Sequence, residues 1–139
     1  ASGRADVKAW EKGGVAYAES DITGCYRNVG KVVRRISLSQ TKSPVLAVSD
    51  RLEGLKPGAK VTWQLITGTD CKVLGDGSVK LSKGGKEKIM RASVPVEWKV
   101  ESIAEPVNEW DSPNPGMSRV SFEVTAPESG ELSLSVEIR

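Results

Sequence analysis

Histidine is missing from this chain altogether, and that absence removes more chemistry than any residue present can supply. Histidine general bases, imidazole metal ligands and Ser-His-Asp or Cys-His nucleophile systems cannot be built from these 139 residues alone. Cysteine is scarce too: Cys25 and Cys71 lie too far apart for a CxxC motif and are too few for a structural zinc site. A disulfide between them in an oxidising compartment and two buried free thiols both account for their presence. No apolar run approaches the roughly 20 residues of a membrane span. No signal peptide is visible, and the chain opens on ASGRADVKAW as an excised fragment or a mature segment would. Charge is not blocked either. The 20 Lys plus Arg and 18 Asp plus Glu, net +2, are mixed along the chain, which argues against a dedicated nucleic-acid surface.

Helical periodicity is also lacking, whereas period-two alternation recurs between turn signals, the pattern of an all-β protein. The best-patterned stretch runs from Val32 to Leu65. With Thr41, Lys42 and Ser43 in a loop, Leu38 falls opposite Leu46, Ile36 opposite Val48, Arg34 opposite Asp50 and Val32 opposite Leu52. A one-residue slip would destroy all of these pairs. The strand after that loop is apolar at both parities, as a covered central strand is. Leu55-Lys56-Pro57-Gly58 supplies a turn, and Val61, Trp63 and Leu65 share one face of the next strand.

Before this stretch, Val7 to Trp10 and Val15 to Glu19 flank Glu11-Lys12-Gly13-Gly14 as an edge hairpin; Asp21 and Thr23 then suit a turn. After it, Asp76-Gly77 between Leu74 and Val79 and Gly84-Gly85 between Leu81 and Ile89 are two-residue hairpin signals. Val94, Val96, Trp98 and Val100 predict a half-buried strand with a wet face. Residues 104–118 read as a long loop holding three of the seven prolines and Trp110. Val120, Phe122 and Val124, then Leu132, Leu134, Val136 and Ile138, predict two antiparallel strands about the Ala126-Pro127-Glu128-Ser129-Gly130 turn. The expectation is one domain over 1–139, an antiparallel β-sandwich of roughly ten short strands joined as hairpins and meanders.

Few residues suggest chemistry. Arg34 shares a parity with Ile36 and Leu38, so its guanidinium needs a carboxylate, and Asp50 lies across from it. That pair reads as a structural lock on the sheet or as a device that positions a loop or ligand at the sheet end. Trp110, flanked by Glu109 and Asp111, offers a ring for a sugar to stack on with carboxylates for its hydroxyls; it serves equally as a plug for the core edge or an anchor for its loop. Trp63 and Trp98 fall on core parities, and Trp10 packs under the first hairpin or faces a neighbouring domain. Glu97, Glu101, Glu123, Glu131 and Glu137 read as solvated strand faces, Tyr17 and Tyr26 as packing residues, and Gly75-Asp76-Gly77 as a hairpin, since no helix follows it.

Taken together, Ala18-Glu19-Ser20-Asp21-Ile22-Thr23-Gly24-Cys25-Tyr26, Val33-Arg34-Arg35-Ile36, Val45-Leu46-Ala47-Val48-Ser49-Asp50-Arg51-Leu52 and Trp63-Gln64-Leu65-Ile66 resemble the β-sandwich part of heparinase II/III-like polysaccharide lyases. The likeness covers roughly the first half of the chain. It implies a larger, periplasmic or secreted enzyme, in which an N-terminal α/α toroid carries most of the catalytic residues and an acidic polysaccharide is cleaved by elimination at a uronic acid. None of the family's catalytic residues carries over. Some relatives bind a structural metal through histidines and an aspartate. Asp21 matches that aspartate, but Ile66 stands where a histidine belongs, so neither a metal nor another cofactor is expected. The resemblance thus implies a non-catalytic C-terminal module, with the toroid as its partner and polysaccharide met through the whole enzyme, and with no nucleic acid or membrane. A free-standing carbohydrate-binding module and an Ig-like structural or adhesion domain are the alternatives.

Overall fold

The computed structural model describes residues 7–23, 29–103 and 116–139. It is all-β, with eleven strands and no helix among the described residues. In chain order they are β1 (Val7–Lys12), β2 (Val15–Asp21), β3 (Lys31–Ser39), β4 (Leu46–Glu53), β5 (Lys60–Thr67), β6 (Asp70–Val73), β7 (Val79–Lys83), β8 (Lys86–Ala92), β9 (Lys99–Ser102), β10 (Ser118–Thr125) and β11 (Leu132–Ile138). An eight-stranded sheet of order β1-β2-β3-β4-β11-β8-β7-β6 faces a three-stranded sheet of order β5-β10-β9, and every pairing is antiparallel.

The β3–β4 register is the one that side-chain matching predicts: Val32↔Leu52, Arg34↔Asp50, Ile36↔Val48 and Leu38↔Leu46. Lys12 pairs with Val15 and Lys83 with Lys86, so Gly13-Gly14 and Gly84-Gly85 are both tight two-residue turns. All four glycines have positive φ, as the hairpin turns that match strand twist require. At the foot of β3 and β4 the backbones touch. Gly30 N–H donates to the Glu53 carbonyl at 2.8 Å, and a Cβ on Gly54 (φ +73) would meet the Gly30 Cα at 2.9 Å.

Three expectations fail, the first because alternation reveals a strand's face and not its partner. First, β10 and β11 do not pair with each other; they lie in different sheets. The 126–131 segment arches between layers and bonds to the β4–β5 crossing: Leu55 N–H donates to the Gly130 carbonyl at 3.0 Å and Gly58 N–H to the Ala126 carbonyl at 3.0 Å. Likewise β5 leaves the sheet of β3 and β4 for the other layer.

Second, residues 93–98 are not a strand. β9 begins only at Lys99, and Val94 and Val100 are exposed while Trp98 is buried. Pro95 has no N–H for a ladder, and the segment carries the chain from β8 in one sheet to β9 in the other. Third, the turn at Asp76-Gly77 is longer than two residues, because Leu74 N–H closes onto the Ser78 carbonyl at 2.8 Å around Gly75-Asp76-Gly77.

The core lies where the three-stranded sheet covers β11, β8 and β7: Val79, Leu81, Met90, Leu134 and Val136 face Trp63, Trp98, Val120 and Phe122. The lone Phe122 holds both tryptophans. Its ring stacks on Trp63 at 5.5 Å and meets the edge of Trp98 at 5.0 Å. Trp98 also donates its indole N–H to the Gly77 carbonyl at 2.8 Å, which fastens the 93–98 segment over the β6–β7 turn.

The larger sheet outruns this cover. Along the inner face of β3, Val32 is 1% exposed but Ile36 39% and Leu38 42%. Every residue of β1 is exposed. Only β10 pairs with β5 among the described residues, so the smaller sheet ends at β5.

Candidate functional site

Asp50 is buried at 6% exposure on the inner face of β4, a position that demands a partner. Arg34 supplies it by two parallel bonds, Nε to Oδ1 at 2.7 Å and Nη2 to Oδ2 at 2.8 Å. The pair lines a groove of 380 Å³ between β3–β4 and the open edge of β5, alongside Val32, Leu52, Val61 and Trp63. It stands where buried core gives way to uncovered apolar surface. Beyond it the same face continues over Ile36, Leu38, Leu46 and Val48, then Ala16 and Ala18 on β2 and Val7 and Ala9 on β1, by the cross-strand register. Ile36, Leu38 and Val7 are the exposed large apolar residues here. The alanines add no bulk and leave the surface flat.

The outer face of the same sheet is concave and carries serines and long charged side chains. Its trough of 690 Å³ is built from three neighbouring rows set by strand register. In one row Arg35 on β3 lies beside Ser49 on β4, which lies beside Ser135 on β11. Ser93 continues that row, its N–H donating to the Ser135 carbonyl at 2.7 Å and its hydroxyl accepting from Ser135 N–H at 3.1 Å. In the next row Val33, Arg51 and Ser133 are neighbours, and in the third Lys31 faces Glu53. The Ser49 and Ser135 hydroxyls share a hydrogen bond at 3.2 Å.

Long side chains wall this trough. Arg35 gives Nε and Nη2 to Glu19 Oε2 at 2.9 and 2.7 Å. Arg51 reaches Glu53 at 3.1 Å and Glu131 at 3.7 Å. Above Arg35 stands an aromatic pair, Trp10 stacked on Tyr17 at 5.3 Å, with the Arg35 guanidinium 5.4 Å from the Trp10 ring centre. Trp10 therefore packs on its own hairpin, as one of the two sequence expectations held, and Tyr17 is a packing residue.

Two aspartates are tuned by turns. Thr23 donates both its hydroxyl and its N–H to Asp21, and those bonds, helped by the Lys31 charge, hold the Asp21 carboxyl below the usual carboxylate range. The Thr23 hydroxyl also accepts from Val32 N–H at 2.9 Å, tying the end of β2 to β3. Ser78 does the same for Asp76 with hydroxyl and N–H, and Arg91 adds to the lowering.

Of the residues singled out from sequence, Arg34 and Asp50 are brought together. Trp110, Glu109 and Asp111 lie outside the described residues, as do Cys25 and Tyr26. Cys71 is half-buried on β6, with its thiol 3.5 Å from the Thr69 carbonyl. Ile66 is 44% exposed on β5, across from Arg119. Among the described residues no group of three or more His, Cys, Asp or Glu is placed to hold a metal. No helix there is long and apolar enough to cross a membrane.

Sequence reasoning missed the trough. Its one available signal was serine at three of the outward positions of β4 and β11, Ser49, Ser133 and Ser135, where charged residues are the commoner choice. No protein-family model matches the chain, and no curated protein matches it.

Proposed function

We propose that this chain is a non-catalytic β-sandwich module of a heparinase II/III-like polysaccharide lyase, and that its work is to brace a catalytic domain rather than to react. One observation carries the reading: the inner face of β1–β4 stays mostly apolar beyond the reach of the three-stranded sheet, with Ile36 39%, Leu38 42% and Val7 67% exposed and Glu11 and Ser20 as its polar members. A contiguous apolar surface of this kind on a folded sheet marks an interface. A partner domain seated on it would complete the second layer that β5 leaves unfinished. The bidentate Arg34–Asp50 pair then serves as a rigid post at the seam, polar enough to fix orientation.

The sequence words that resemble the lyase family lie mainly on β2, β3, β4 and β5, the elements that build this face and its edge. In such an enzyme the eliminating base and acid belong to the partner domain, and this chain contributes position. The test is an eliminative assay on the isolated chain with uronate polymers, followed as absorbance from new unsaturated ends. The expected rate is zero. Turnover that survives purification and falls with a point change in this chain would overturn the non-catalytic assignment. A gene product with no helical domain beside this chain would overturn the lyase assignment.

A further inference from the structure

The two sheets end in four edge strands, and three of those edges are blunted. β1 carries Lys8, Glu11 and Lys12 within six residues. β6 and β9 are only four residues long, with Asp70 and Lys72 on one and Lys99 and Glu101 on the other. Shortness and charge are the usual defences of an edge against a further strand. β5 has neither. It runs for eight residues with no proline, and after Lys60 with no charge, so Val61 to Thr67 offers a long neutral ladder. Among the described residues only β10 pairs with it.

Which backbone groups face that open edge follows from the bulge where β5 begins. Gly58 (φ +82) donates its N–H to the Ala126 carbonyl at 3.0 Å, and Ala126 N–H donates to the Ala59 carbonyl at 2.7 Å, so Gly58 and Ala59 together oppose Ala126. From that point the antiparallel ladder alternates. Under the register Val61↔Val124, Trp63↔Phe122 and Leu65↔Val120, those β5 residues turn N–H and carbonyl toward β10. Lys60, Thr62, Gln64 and Ile66 turn theirs to the open side. Beside them runs the groove of 380 Å³ between β5 and β3–β4, and past it lie Ile36 and Leu38, 39% and 42% exposed. Strands in one sheet stand about 4.8 Å apart and stacked sheets about 10 Å, so a strand set beside β5 would lie one layer above β3 and β4.

We propose that β5 accepts a strand from the partner domain: an extended segment, apolar at alternate positions, adds to the open edge as the fourth strand of the smaller sheet. Its inward side chains cover Ile36 and its neighbour Val48. The backbone row decides the form of the occupant. A helix laid on this face would leave the outward N–H and carbonyl groups of β5 unmatched, whereas an extended chain meets each of them in register. A second copy of this chain does not fit. The two-fold axis that would pair β5 with itself stands perpendicular to the sheet, so both eight-stranded layers fall on the same side and β1–β4 of the two copies collide. The inference rests on the reading that a partner covers this face, and not on that partner being a lyase domain.

The test has two arms. In the first, the isotope-labelled chain is titrated with the peptide acetyl-Lys-Val-Thr-Val-Glu-Val-Lys-amide and with two N-methylated forms, one methylated at the valines and one at threonine and glutamate. The unmethylated peptide should give saturable amide shifts centred on Thr62, Gln64 and Ile66. Only one edge of a strand faces β5, so one methylated form should bind like the unmethylated peptide and the other at least about tenfold more weakly. Gln64→Pro removes an outward N–H and leaves the β10 ladder intact, so it should weaken binding about tenfold while the Val61 and Trp63 amides stay slow to exchange. The methylated pair reads the same edge on the unaltered chain, whatever Gln64→Pro does to folding. In the second arm, the chain alone is compared with its native gene product, where exchange at Thr62, Gln64 and Ile66 should slow at least about a hundredfold. No saturation at millimolar peptide, equal affinity of the two methylated forms, or shifts centred on β1 would overturn the proposal. If the Ile36 and Leu38 side chains are shielded from hydroxyl radicals in the native product while the Thr62 and Gln64 amides exchange as fast as in isolation, strand addition falls and the docking reading stands. If neither changes, both fall.

Discussion

Asp50 is held at both carboxylate oxygens and buried to 6%, so truncating it removes two charge-assisted bonds from the Arg34 guanidinium beside the core. Asp50→Ala is expected to cost about 2 to 3 kcal/mol in denaturant unfolding, below the cost of breaking a fully buried pair. The discount arises because Arg34, 32% exposed, can turn its charge toward water. Replacing both residues with leucine should restore most of that loss, since a pair removed together leaves no orphan charge.

Asp76 gives a pH signature. Its folded carboxyl titrates below its usual range because of Ser78 and Arg91. Stability from this turn is therefore complete at neutral pH and is lost as pH falls through the depressed folded value. Asp76→Asn should flatten the acid limb of the stability-pH curve while leaving the neutral fold unchanged. An acid limb identical to the parent's would contradict the assignment.

At this scale the sequence was most informative. Arg34–Asp50 followed from parity alone, because both strands belong to one local hairpin. Ser49 and Ser135 did not, because they sit 86 positions apart and meet only through a pairing no local pattern reveals.

Among the elements, the 93–98 segment joins the two sheets; Ser93 bonds to Ser135 at its start, and the Trp98 indole bonds to the Gly77 carbonyl at its end. Trp98→Phe keeps most of the ring packing and loses that bond, so a loss of about 1 to 2 kcal/mol is expected. Faster amide exchange should follow in the 74–78 turn, where Asp76 and Ser78 shape the carbonyl's position. Exchange unchanged there would mean the indole bond does not couple the layers.

Strand existence and turns were legible because Gly-Gly pairs and period-two runs act locally. The two crossings, β4 to β5 and 126–131, were not. A tight hairpin and an interlayer arch use the same turn residues, and what separates them is whether the flanking strands face each other or stack. Pro95 was the one local sign that the Val94 to Val100 run is no uniform strand.

For the whole molecule, an eight-stranded layer under a three-stranded one leaves a flat apolar corner where β1 to β4 run past β5. Exposed apolar area of this sort favours self-association when its partner is missing. Ile36→Lys with Leu38→Lys should make the isolated chain more soluble and shift its thermal midpoint little, since neither side chain is buried. Light scattering and melting curves check both halves of that expectation. In the intact parent the same changes should weaken domain docking.

The most direct measurement is hydroxyl-radical or exchange footprinting of this chain alone and within its native gene product. The docking account predicts strong protection of Val7, Ile36 and Leu38 in the native product, with the outer serine trough reacting alike in both. Equal reactivity of Val7, Ile36 and Leu38 in the two forms, or a native product no longer than this chain, would contradict it.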